Sequence, residues 1–308
     1  MNRFGYACIN MHLREKGVFN SRTMRKKTFL EKGLPYVSEV CLKNVKDIIP
    51  ILHWNYKNNI EVFRLSSELM PWASEYSLQD LPDYDKISHY LNLTGMFIKK
   101  FGLRVSFHPG QFNCLASEKD HVVENCIKDL EIHGEVFDLM GLDQDHNSKI
   151  NIHLGSTCGG QLKVAANNFV KNFSKLSESV QSRLTVENDD KAAMFSSKFL
   201  YENIYKKIKV PIVFDSHHFT LGPQDASYKE SFMMAYESWP KNIRPTCHHS
   251  NGKKEWEDNT IRSKAAHSNY YYTPFDSCGK SVDIILEAKM KKMFAYQTFK
   301  FHKIFFNI

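Results

Sequence analysis

Eight short, β-prone apolar runs recur along the chain, separated by stretches of helical periodicity. That alternation constrains the fold more than any other feature. In order, the runs are "RFGYACIN", "IEVFRLSS", "LRVSFHPG", "KINIHLG", "LTVEND", "VPIVFDSHH", "RPTCHHS" and "VDIILEA". Between the first two, "NVKDIIPILHWNYKNN" places Val45, Ile48 and Leu52 on one helical face, with Pro50 expected to kink or reset the helix. "DYDKISHYLNLTGMFIKKFG" reads as a helix closed by Gly102, and "DHVVENCIKDLEIHGEVFDLMG" as a strong helix with Val123, Ile127, Leu130 and Phe137 in register. "LKVAANNFVKNFSKLSESVQSRL", "SSKFLYENIYKKI" and "SYKESFMMAYESW" continue the rhythm. Strands that alternate with helices imply parallel βαβ units. Eight such units close naturally into an α/β fold of the TIM type, a (β/α)8 barrel, here expected as a single domain. An open doubly wound sheet is the alternative, but no GxGxxG follows the first run, which weakens its dinucleotide-binding form.

The barrel is expected over 1–290. Residues 291–308 form an aromatic-rich tail with no assigned role, expected to pack as a helix on the barrel wall. The stretch from Asn251 to Ser281 is long for a barrel loop and contains "HSNYYYTPF", so it reads as a functional loop rather than a linker. Seven cysteines without CxxC spacing argue against a disulfide framework and against a structural zinc knuckle. No apolar run reaches the length of a membrane span, and the start "MNRFGYACIN" lacks a secretory apolar region. We therefore expect an intracellular protein, of unspecified compartment, without membrane contact or nucleotide cofactor, and monomeric. Its formal charge of +7 permits nucleic-acid binding without requiring it.

The polar residues follow the same rhythm. The third run ends in His108, the fourth in His153 and the fifth in Glu187. The sixth carries Asp215 with His217 and His218, the seventh His248 and His249, and the eighth Glu287; His267 follows in the long loop. In a barrel, the C-terminal strand ends converge on one mouth. Any one of these histidines is readily explained as an ordinary satisfied polar residue, and His217 and His249 are expected to face away because strand side chains alternate. Six successive strands ending this way is another matter. So many imidazoles and carboxylates crowded together call for divalent cations among them. Mixed His/carboxylate ligation suits manganese, zinc or iron. The candidates exceed what one tetrahedral ion needs, so two or three ions fit better. Such clusters suit phosphodiester hydrolysis, by activating water and neutralising the phosphate. They also suit sugar isomerisation. Gln111 and Phe112, on the Pro-Gly turn after His108, are placed to wedge into a base stack, and Tyr6 to stack on a base. Lys253, Lys254, Arg262 and Lys264 are candidate phosphate contacts or simply a solvated basic loop.

From Arg3 to Lys289 the chain resembles the UV damage endonuclease family, and more distantly the endonuclease IV-like barrel nucleases. The resemblance rests on "GYACIN", "FRLSSELMPWAS", "SFHPGQF", "NIHLGS", "LTVEND", "VFDSHH" and "ILEAK" in that order. It implies incision of damaged double-stranded DNA immediately 5′ of pyrimidine dimers, 6-4 photoproducts or abasic sites by a manganese-type metal cluster, with zinc or magnesium as alternatives. It implies metal ligands at His108, His153, Glu187, Asp215, His218, His248, His267 and Glu287, with Glu187, Glu287, His108 and His248 carrying catalysis. Gln111 and Phe112 correspond to the pair that probes the damage, and Tyr6 and Asn10 to the lesion pocket. Three positions depart from the family pattern. Glu75 stands where a metal-ligating histidine usually follows "FRLSSELMPWAS", and a carboxylate can still ligate. Thr246 stands where some members carry a modified lysine, and threonine cannot be modified in that way. Phe112 lacks the tyrosine hydroxyl frequent at its position. The resemblance leaves an abasic-site nuclease and, less closely, a metal-dependent sugar isomerase as alternative functions.

Overall fold

The computed structural model describes residues 1–289; the proposed tail lies outside the described residues. The eight expected strands all form: β1 Arg3–Ala7, β2 Val62–Arg64, β3 Arg104–Ser106, β4 Ile150–Ile152, β5 Leu184–Glu187, β6 Ile212–Asp215, β7 Thr246–His249 and β8 Asp283–Leu286. Each is shorter than its apolar run. They pair in parallel in the order β3-β2-β1-β8-β7-β6-β5-β4. The two ends of that sheet then meet. Phe107, just past β3, bridges Ile150 of β4 through Phe107 N–H to Lys149 C=O (2.9 Å) and Asn151 N–H to Phe107 C=O (3.0 Å). The sheet is therefore a barrel of eight parallel strands, closed by a single bridge between β3 and β4.

Parity along each strand divides the barrel into two environments. Outward residues such as Phe63, Val105, Phe107, Ile150, Ile152, Val186 and Phe214 pack in the main apolar core. The covering helices are Lys26–Lys46, Ile48–Lys57, Tyr84–Phe101, Asp120–Leu139, Leu162–Phe173 and Tyr228–Glu237. The Lys26–Lys46 helix was not expected; Gly33 (φ 62°) kinks it and Pro35 lies within it, which breaks the apolar periodicity a reader looks for. Pro50 resets the chain as expected: the next helix starts at Ile48, so the proline sits in a first turn, where its missing N–H costs nothing. Gly102 ends the Tyr84–Phe101 helix in the left-handed conformation (φ 61°). The expected helix from Leu162 divides, restarting at Glu178 under a Ser177 cap.

Inward residues are mostly polar. At the floor, Asp283 binds the Arg3 guanidinium through both oxygens (2.7 and 2.6 Å) and accepts from Arg104 (2.7 Å). Arg104 also donates to the carbonyls of His146, Asn147 and Arg244. Arg3, Arg104 and Asp283 are thus all paired. The layer above, at the C-terminal strand ends, does not share that closure.

Candidate metal centre

Glu187, the last residue of β5, is buried at the centre of the barrel mouth. One of its oxygens lies 3.1 Å from His108 Nε2 and 3.0 Å from His248 Nδ1; the other lies 3.2 Å from His218 Nδ1. Asn151, two residues before His153, donates to it from below. The rings around it stand close: His108 and His153 centroids at 5.4 Å, His153 and His218 at 5.4 Å, and His108 and His248 at 5.8 Å. Three groups of donor atoms are compact enough to hold a metal ion: His108, Glu187 and His248; His153, Glu187 and His218; and Asp215, His248 and Glu287. Glu187 belongs to two of them and His248 to two, the pattern of a cluster with shared ligands.

The local chain geometry explains how these side chains converge. Asp215 caps the short helix Ser216–Leu221, accepting N–H bonds from His217 (2.7 Å) and His218 (2.8 Å) with one oxygen. Its other oxygen is buried without a partner. The helical turn sends His218 back into the mouth, where Nδ1 also lies 2.9 Å from the Asn188 carbonyl. His267 reaches the site from the long loop. Its backbone bridges Gly252, Ser250 Oγ meets its Nδ1 at 2.6 Å, and its Nε2 lies 3.7 Å from Glu287.

The donors fit a bound cation. Both ring nitrogens of His248 are buried without a hydrogen bond, although Glu187 and Glu287 oxygens lie 3.0 and 3.4 Å from Nδ1. His153 Nδ1 likewise faces Asp189, 3.1 Å away, without hydrogen-bond geometry. Nitrogen and oxygen atoms about 3 Å apart but not aimed at one another are spaced as ligands of a common ion with bonds of about 2.1 Å. The electrostatics agree. Burial pushes the His108 imidazolium pKa down to about 4, leaving a neutral nitrogen free to ligate. Burial alone would raise the Glu187 carboxyl, but His248 and bonds from His108 and His218 outweigh it and hold Glu187 well below the usual carboxylate range. Glu287 is also held low; there the opposing burial is outweighed by the Arg64 guanidinium and by His248 and His267.

All eight strand-end and loop residues assigned as ligands therefore gather at one mouth. Glu75 does not join them. After Trp72 in the left-handed conformation, a 3-10 turn carries Glu75 outward, where it is exposed and lines a groove with Lys128, Glu131 and Glu135 of the Asp120–Leu139 helix. His249 faces away, as parity requires, with Nδ1 near Ser216 Oγ and Nε2 near the Thr273 carbonyl. His217 is buried beside His267 with Nε2 unpartnered, outside the three donor groups. Thr246 points into the barrel with its hydroxyl unpartnered.

The four residues assigned to the lesion separate into two pairs. Gln111 and Phe112 are exposed on the turn after His108, Phe112 by 84%. Beside them lies a cavity of about 640 Å³ lined in part by Phe112, Trp72, Met70 and Asn125. Tyr6 and Asn10 are instead buried in the wall. Tyr6 has the opposite parity to Ala7, so its ring packs against Phe63 and its hydroxyl donates to Asn55 on the Ile48–Lys57 helix (2.6 Å). Asn10 donates to that hydroxyl and caps the turn that follows. Base stacking by Tyr6 is not available from this position.

Several residues at the site escaped the sequence reading. Asp189 is the partner of His153, two positions past Glu187. Lys149 is fully buried inside the barrel, its amine unpartnered and pushed down to about 7 by burial. Arg64, at the end of β2, ion-pairs with Glu287. Parity carried a signal for Lys149 and Asp189, four positions before His153 and two past Glu187, whereas Arg64 is placed only by strand register.

Residues 2–304 match the family described as UV-endonuclease UvdE. The chain is 33% identical over 308 residues to the UV-damage endonuclease of Schizosaccharomyces pombe, covering 96% of this chain and 50% of that protein. It is 31% identical over 302 residues to the UV DNA damage endonuclease of Clostridium perfringens, covering 95% of this chain and 69% of that protein. For the Bacillus cereus (strain Q1) enzyme of the same name the figures are 32% over 305 residues, 94% and 91%. The chain thus spans half the length of the yeast relative and nearly all of the Bacillus one. Among solved structures, SacUVDE superposes with a TM-score of 0.84 at 30% identity over the whole of both chains. A D-psicose 3-epimerase from Clostridium cellulolyticum superposes with a TM-score of 0.51 at 9% identity, over 93% of this chain and 84% of that one, which shows a shared barrel alone. On these findings the chain belongs to the UvdE family of UV-endonucleases.

Proposed function

We propose that this protein is a DNA repair endonuclease that incises duplex DNA immediately 5′ of UV photoproducts, and of abasic sites, by metal-dependent phosphodiester hydrolysis. The observation that carries this reading is a juxtaposition within five residues. His108 faces Glu187 in the donor cluster, and Gln111 and Phe112 stand exposed beyond it. One short segment joins a cutting centre to a side-chain wedge.

His108, His153, Glu187, Asp215, His218, His248, His267 and Glu287 would hold two or three divalent ions of the manganese type. When bound, these ions supply Lewis-acid activation of water and neutralise the phosphate. The protein's own residues set the stage. Glu187 and Glu287 orient the donor groups, and the neutral His108 needs no deprotonation to ligate. Phe112 stacks in the gap left by displaced nucleotides, Gln111 meets base edges beside it, and the cavity flanked by Phe112 and Trp72 gives extruded nucleotides room. Lys253, Lys254, Arg262 and Lys264 steer the phosphate backbone. Glu75, exposed on its turn, takes no part.

A nicking assay tests the reading. Duplexes carrying a pyrimidine dimer, an abasic site or no lesion are incubated with manganese, zinc, magnesium or chelator. Lesion-dependent, chelator-sensitive 5′ incision is expected. Cleavage at abasic sites alone would replace the photoproduct reading with that of an abasic-site nuclease, and the absence of any lesion-dependent nick would end it.

A further inference from the structure

We infer that Arg64 is a positioning residue of the metal centre, holding one oxygen of Glu287 so that this carboxylate is fixed toward its ligand group. The inference rests on reading the donor cluster as a metal site. Arg64 ends β2, and Glu287 follows β8, two strands away across β1. The registers place Ala7 of β1 beside Arg64 and, one residue past the Tyr6–Leu286 pair, beside Glu287. All three side chains face the barrel interior. Ala7 is completely buried and small, so the guanidinium crosses over it to reach the carboxylate. The pair is nearly sealed from solvent, with 13% of the Arg64 side chain and 12% of the Glu287 side chain accessible.

The two glutamates of the centre are consequently held in different ways. Glu187 presents its two oxygens to different histidines: His108 and His248 on one side, His218 on the other. Glu287 has one oxygen engaged by Arg64, with His248 Nδ1 3.4 Å from the same atom, while the other faces His267. A guanidinium is permanently charged, and here Nη1 alone reaches Glu287 while Nε is buried without a partner, so a single charge-assisted contact holds Glu287 in place whether or not an ion is bound. This makes Glu287 a directed ligand for the group it shares with Asp215 and His248, and leaves the bridging role to Glu187. Partners of this kind typically govern metal affinity by 10- to 100-fold.

The test reads metal binding by the intact chain, without DNA. Wild type, Arg64→Met and Arg64→Lys are titrated with Mn²⁺ by calorimetry, and bound manganese per chain is counted after gel filtration. In Arg64→Met we expect one class of ion to weaken by about 10- to 100-fold, with the ions centred on Glu187 retained at wild-type affinity. Arg64→Lys keeps the charge but shortens the reach across Ala7, and should weaken the same class to a smaller extent. Wild-type stoichiometry and affinity in Arg64→Met overturn the assignment, as does uniform weakening of every ion, which marks a general structural role. If Arg64→Met fails to fold, Arg64→Lys decides, and unchanged binding overturns the assignment. A wild-type chain that binds no divalent ion defeats the metal reading itself. Loss of lesion-dependent nicking with normal metal binding touches only the proposed function.

Discussion

The two ends of the barrel interior are built from the same kinds of residue and behave as opposites. At the floor, one carboxylate, Asp283, is shared by Arg3 and Arg104, and Arg104 also donates to three backbone carbonyls. At the mouth, the carboxylates and imidazoles crowd together with valence left over: an oxygen of Asp215 and both nitrogens of His248 have no hydrogen bond. A buried polar group that is left unpaired costs stability. The floor is therefore polar structure, and the mouth is polar structure held open for something else. What separates them is whether the charged groups are paired with one another, and residue type alone does not reveal that.

The sharpest way to break this contrast is at the floor. Asp283→Asn should leave the buried Arg104 guanidinium without its counter-charge and destabilise the protein by about 3–5 kcal/mol, read as a lower midpoint in denaturant. A loss below 1 kcal/mol would make the floor no more structural than the mouth. At the mouth the larger loss should fall on function. Glu187→Gln should lower lesion-dependent nicking by more than about a hundredfold, beyond what disturbing a ligand's partners costs. The metal-free variant should also melt somewhat lower than wild type, because the neighbouring histidines hold the ionised Glu187 below its usual range and its charge therefore favours the fold. Substantial destabilisation with normal turnover would turn Glu187 into a floor-like residue.

Metal addition distinguishes the two ends without mutation. Manganese at about a hundredfold its Kd should stabilise the wild-type chain by about 2.7 kcal/mol, measured as a thermal shift reversed by chelator. The same shift should persist in Asp283→Asn and shrink in Glu187→Gln. Equal shifts in all three proteins would place the binding elsewhere. The smallest effect belongs to the exposed turn. Gln111→Ala with Phe112→Ala should reduce the preference for damaged over intact duplex by about tenfold, given that base stacking is worth about 1–3 kcal/mol per base. Since Phe112 is almost fully exposed, its removal should leave the melting temperature unchanged; an unchanged damage preference would make the turn a mere connection.

Much of this was legible in the sequence because two simple periodicities carry it. Strand-helix alternation encodes the barrel, and the strand-end position encodes the mouth; His108, His153, Glu187, Asp215, His248 and Glu287 needed nothing more. What failed depended on facing and on turns. Tyr6, expected to stack on a base, has the parity of Phe4 and belongs to the wall. Glu75 holds the position of a ligand in its motif, yet a left-handed Trp72 and a 3-10 turn swing it into solvent. Arg64 sits at a strand end like the ligands, and its role is visible only once the registers bring it beside Glu287 across Ala7. The helix from Lys26 was hidden by Gly33 and Pro35, which interrupt its apolar stripe.

The closure of the barrel has a mechanical consequence. Seven of its eight seams are ladders of paired residues, whereas β3 and β4 are tied by Phe107 alone, through two backbone bonds. The chain that leaves this weakest seam carries His108 first and Phe112 four residues later. On the other side of Phe112 the chain is pinned at once, for Asn113 is buried and its amide donates to Asp129 of the Asp120–Leu139 helix (2.7 Å). Under the proposed function, displacement of Phe112 would therefore be resisted on its helix side and yielded to on the His108 side, so the wedge and the donor cluster would share one compliant strand.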